Sequence, residues 1–133
     1  MAINWNDSLE TGIPEIDNQH KEMFVRINQL LDACHQGRGQ ETLGDVLNFL
    51  EDYARRHFMD EEALMAAKGY PELASHREMH REFMANVAEV KRRFQEEGPG
   101  VHIVVITNRV IAGWLNTHIR RVDKKFGEFL RNN

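Results

Sequence analysis

The 133-residue sequence is poor in cysteine, proline and large aromatics, with one Cys, three Pro, two Tyr and two Trp. The single thiol, Cys34, closes no disulfide within the chain. Packing or a bound group must therefore hold the fold, and a reducing cytoplasm is the expected compartment. Apolar runs are short, and none approaches the roughly 18 residues of a membrane span. Met1 to Asp7 show no basic start leading into an apolar stretch, so neither membrane insertion nor an export leader is expected. Basic residues are not in excess: 17 Lys and Arg stand against 21 Asp and Glu, a net charge of -4. That balance excludes nucleic acid or an anionic membrane as the main partner. At 41% hydrophobic and 29% charged, the chain has material for one core and too even a charge pattern for disorder. Its length is that of one domain, residues 1–133. What the sequence does have is seven histidines.

Glycine and proline punctuate it sparsely, at Gly12 and Pro14, Gly37 and Gly39, Gly69 and Pro71, and Gly98, Pro99 and Gly100. The four segments between them repeat apolar residues at helical spacing. The first carries Ile16, Met23, Phe24, Ile27, Leu30, Leu31 and Cys34, with His20 on the same stripe. In the second, His57 and Glu61 fill a gap in the face of Leu43, Val46, Leu47, Leu50, Tyr53, Ala54 and Leu64. The third alternates by three and four through Leu73, His76, His80, Phe83, Val87, Val90 and Phe94. The fourth reads Val104, Thr107, Ile111, Trp114, Leu115, His118 and Val122, and absorbs the one strand-like run at 103–106. The pattern predicts an all-α, antiparallel up-down-up-down four-helix bundle over residues 15–133. Helices are expected near 17–36, 40–67, 71–96 and from 102 to about 120 or beyond, with residues 1–14 an irregular arm packed outside.

In such a bundle one end collects the start of the first and third helices and the end of the second and fourth. His20, His57, Glu61, His76, His80, His118 and Asp123 all fall at that end. The pairs His57/Glu61 and His76/His80 are four residues apart, about 400° of rotation, and so project from one face. His118 and Asp123 are five apart, about 140° off alignment in a regular helix, which predicts a π-bulge or a helix end between them. A buried, unpaired Glu61 would cost several kcal/mol, roughly the stability of a whole domain. Five imidazoles and two carboxylates in one buried layer make a metal site, with too many donors for one ion. Two octahedral ions offer about twelve positions. Five imidazoles, two bridging carboxylates and a bridging oxide or hydroxide leave one of them open for a small diatomic ligand. With about one net positive charge, a histidine-rich pair should bind O2 rather than split it, unlike carboxylate-rich di-iron bundles.

The order His20, His57-x-x-x-Glu61, His76-x-x-x-His80, His118-x-x-x-x-Asp123 resembles the hemerythrin signature, and Ile16-Asp17-Asn18-Gln19-His20 resembles its bacterial branch, the bacteriohemerythrins. The resemblance runs from about Gly12 to the C-terminus. It implies a non-haem di-iron centre, Fe2+ or Fe3+ with a bridging oxo or hydroxo group, that binds O2 as a hydroperoxide on one iron. It further implies that His76, His80 and His118 hold one iron, that His20 and His57 hold the other, which carries the open position, and that Glu61 and Asp123 bridge. Trp114, Leu115 and Ile119 would line the space over that position.

The remaining features have plainer readings. His35 and His102 are expected on the surface at the opposite end, and Cys34 as a small core filler. Trp114 is packing that also walls the pocket. Arg120, Arg121, Lys124 and Lys125 read as a solvated helix end, and Met59, Met65, Met79 and Met84 as adaptable core. The expected function is O2 storage or delivery to an oxygen-requiring enzyme, by a monomer that is not itself an enzyme. An O2 or redox sensor acting through a separate partner, a peroxidase or NO-handling enzyme, and a structural zinc or manganese site are the alternatives.

Overall fold

A computed structural model describes residues 4–36, 40–98 and 100–132. The Gly37–Gly39 break, Pro99, residues 1–3 of the arm and the side chains of Cys34 and Leu43 lie outside the described residues. Four helices carry the described residues: α1 (Pro14–His35), α2 (Gln40–Ala67), α3 (Leu73–Glu97) and α4, residues 101–131. Both α1 and α3 pack against α2 and α4, which makes the expected four-helix bundle. The expected stripes face inward, with Ile27, Leu50, Ala54, Val87, Val90 and Ile111 fully buried. Phe58 and Met65 of α2 and Ala112, Ile119 and Phe126 of α4 join them. Met59 does not: it is 65% exposed, because two residues past His57 the helix has turned to its opposite face. No described helix is long and apolar enough to cross a membrane.

The helix ends follow local chemistry. Pro14 opens α1 three residues before the expected start, since its fixed φ and missing N–H suit a first helical position. Gly69, at φ 67°, ends α2. There Gly69 N–H donates to the Ala66 carbonyl (3.2 Å) and Tyr70 N–H to that of Met65 (3.0 Å). That turn still includes Pro71 and Glu72, so α3 begins at Leu73 rather than 71. The last helix runs on to Arg131, which places Arg120, Arg121, Lys124 and Lys125 within it and not at its end.

Two π-helical turns interrupt α4, at Asn108–Ala112 and at Ile119–Asp123. The second is the bulge that the His118/Asp123 spacing predicts: widening the turn brings residues five apart onto one face. Both side chains are buried. In the first, Asn86 of α3 donates to the Val110 carbonyl at 3.0 Å.

The arm is more ordered than expected. It forms a short 3-10 turn, Asp7–Leu9, and buries Leu9 completely in the core. Asp17 of α1 accepts from Thr11 N (2.8 Å), Thr11 Oγ1 (2.9 Å) and Gly12 N (3.2 Å), and Arg131 donates to the Thr11 carbonyl (2.9 Å). Where the arm crosses α4, a Cβ on Gly127 would lie 2.0 Å from the Thr11 carbonyl oxygen. Gly127→Ala is therefore expected to cost about 1–3 kcal/mol, the range for overpacking, and to lower the melting temperature by several degrees. An unchanged thermal melt would mean that the arm does not seat there.

Candidate metal centre

The structure brings all seven expected residues into one layer. His20 comes from α1, His57 and Glu61 from α2, His76 and His80 from α3, and His118 and Asp123 from α4. None is more than 4% exposed. The layer contains two donor groups. Atoms of Glu61, His76, His80, His118 and Asp123 lie within 4.8 Å of one another, and so do atoms of His20, His57 and Glu61.

The carboxylates join the two groups by dividing their oxygens. Glu61 Oε1 is 3.0 Å from His76 Nε2 and 3.1 Å from His80 Nε2, whereas Oε2 is 3.8 Å from the Nε2 atoms of both His20 and His57. Asp123 Oδ1 is 2.9 Å from His76 Nε2 and 3.2 Å from His118 Nε2, whereas Oδ2 is 3.0 Å from His20 Nε2.

Protons alone leave this layer unsatisfied. Nε2 of His20, His57 and His80, both Glu61 oxygens and Asp123 Oδ2 are buried without an aligned hydrogen-bond partner. A buried polar group left so costs about 1–3 kcal/mol, and more if charged. Burial works against the Glu61 charge, yet the imidazoles of His76 and His80 beside it hold its carboxyl down to about 2. Burial is likewise outweighed at Asp123, which His118, His20 and His76 hold well below the usual carboxylate range. Against the lowering effect of burial, Asp123 and Glu61 raise His76 to about 9 and also raise His20. Burial pushes His57 down to about 4. The layer thus fixes two carboxylate charges and draws protons onto His76 and His20 when no cation supplies the balance. Imidazole nitrogens with carboxylate oxygens suit a divalent or trivalent transition metal, and the donors fit two such ions better than one closed tetrahedral site.

Aromatic rings back the histidines. Phe58 stacks on His80 (centroids 3.9 Å, 12°) and Trp114 on His118 (4.4 Å, 13°). Trp114 is half-buried and faces an open cleft of about 670 Å³ between α3 and α4. Leu115 and Ile119, on either side of His118, are completely buried. His35 and His102 are exposed, away from the layer. Gln19 and Glu62 carry no expected role in the sequence, yet these meet the outer nitrogens of two of the rings, His57 and His80. The signal for both was adjacency: each stands next to a histidine or glutamate of the layer.

Residues 11–130 match the family model described as the hemerythrin HHE cation binding domain. The bacteriohemerythrin of Pseudomonas aeruginosa (strain LESB58) is 38% identical over 129 residues, covering 96% of this chain and 81% of that one. That of Methylococcus capsulatus is 34% identical over 120 residues, covering 90% and 89%. A crystal structure of wild-type hemerythrin superposes with a TM-score of 0.84 at 31% identity, over 96% of this chain and 97% of the other. With its family model spanning nearly the whole chain, its bundle shared, and two donor groups in the layer for a pair of cations, this protein belongs to the hemerythrin family.

Proposed function

We propose that the layer holds two iron ions and binds O2 reversibly, so that the protein stores O2 or delivers it to an oxygen-requiring enzyme. His76, His80 and His118 hold one ion, His20 and His57 the other, and Glu61 and Asp123 bridge them. The observation that carries this reading is the division of each carboxylate between the two histidine sets, which one ion alone would not use. Bound iron would supply a redox-active cation pair able to take a small diatomic ligand on the side of His20 and His57, which offer two imidazoles against three. The side chains do the rest. Imidazoles at five positions keep the anionic donation low, while Leu115 and Ile119 exclude water, and Trp114 closes the His118 side.

The test is optical. Anaerobically reduced, iron-loaded protein is exposed to air and then stripped of O2. Repeated appearance and loss of a charge-transfer band supports storage or delivery. Direct, irreversible conversion to the ferric form contradicts it and favours a redox sensor or an enzyme.

Removing the metal should lower the thermal midpoint, because the buried imidazoles and carboxylates then lose their counter-charge. Equal midpoints for iron-loaded and metal-free protein would take the histidines out of direct contact with metal.

A further inference from the structure

Gln19 and Glu62 stand at corresponding places behind the two histidine sets and differ in charge. Gln19 Oε1 lies 2.7 Å from His57 Nδ1, and its amide nitrogen donates to Asp60 Oδ2 at 2.9 Å, which fixes which end of the amide faces the ring. An amide oxygen only accepts, so Nδ1 carries the proton and the Nε2 lone pair points into the layer. Glu62 Oε2 lies 2.7 Å from His80 Nδ1, and its other oxygen accepts from Arg77 Nε at 3.2 Å. The tautomer is the same, but here the acceptor is an anion. Nδ1 of His20 and of His76 has no hydrogen-bond partner.

The difference has an electronic consequence. A carboxylate pulls harder than an amide on the N–H it accepts, so the ring behind it gains imidazolate character and donates more density through its other nitrogen. We propose that Glu62 and Gln19 are positioning residues that grade the two metal positions: Glu62 makes the His76/His80/His118 position the more electron-rich, and Gln19 keeps the His20/His57 position electron-poor. This rests on the reading that His80 and His57 ligate different irons. The electron-rich position is then the more easily oxidised, and the acceptor charges set the ferric/ferrous potential of the pair.

Two opposed variants test it. Glu62→Gln removes the anion in place, and the half-exposed Arg77 is free to turn to solvent. Gln19→Glu combined with Asp60→Asn installs an anion behind His57 while keeping both the net charge and a donor to its second oxygen. For parent and variants, iron per chain is counted, the metal-free melt is recorded, and the midpoint potential is found by anaerobic titration with redox dyes. At two irons per chain, Glu62→Gln should shift the potential positive and Gln19→Glu/Asp60→Asn should shift it negative. Opposite signs are what a merely structural role does not give. Should Glu62→Gln lose its iron, the sign in the double variant decides alone. Unmoved potentials, or shifts of one sign in both variants, overturn the proposal. A parent without two irons instead overturns the functional reading beneath it.

Discussion

Glu61→Ala loses the metal centre as a unit: the purified variant carries far fewer than two irons per chain, not one. A ligand belonging to a single ion would leave the other in place. Glu61 spans both groups, with Oε1 at 3.0 and 3.1 Å from His76 and His80 and Oε2 at 3.8 Å from His20 and His57. On the proposed reading, its loss would remove a donor from each ion and raise the buried positive charge by one. The drop in affinity should exceed the roughly 10- to 100-fold that follows loss of an outer hydrogen-bond partner. Iron analysis after desalting measures it, and circular dichroism of the metal-free variant shows that the helices persist. Two tightly held irons would sink the bridging role.

Leu115→Ser and Ile119→Ser shorten the life of the oxygenated protein and leave its iron content unchanged. Both residues are fully buried, at i−3 and i+1 from His118. On the proposed reading, an apolar wall there would keep water and anions out of the layer and leave no proton donor beside the ligand. A serine hydroxyl, and the water it admits, supply one hydrogen bond worth about 1–1.5 kcal/mol, or on the order of tenfold in rate. Cavity formation alone costs roughly 2–5 kcal/mol of stability, so Leu115→Ala serves as the control that opens space without polarity, and all variants are compared well below their melting temperatures. If both serine variants hold O2 as long as the parent, the wall lies elsewhere and these side chains are ordinary packing.

The bundle and the layer were largely legible because both rest on spacing within single helices. Four apolar stripes with sparse Gly and Pro breaks gave the helices, and the i, i+4 pairs His57/Glu61 and His76/His80 gave shared faces. The five-residue step from His118 to Asp123 gave the second π turn, because two residues expected on one face were out of register with a regular helix. The first π turn, at Asn108–Ala112, had no such marker: it is supported from α3 by Asn86, 24 positions before Val110. Contacts between helices were hidden in the same way. Gln19 reaches His57 across 38 residues and Glu62 reaches His80 across 18, and periodicity assigns faces, not partners. The seat of the arm on Gly127 depends on a backbone approach that no side-chain pattern records.

Anomalous diffraction from crystals of the iron-loaded protein, collected on both sides of the iron absorption edge, would place the metal ions directly. Two peaks are expected in the layer, one among His76, His80 and His118 and one beside His20 and His57, each within bonding distance of both Glu61 and Asp123. A single peak, or iron bound away from these seven side chains, would contradict the two-iron reading.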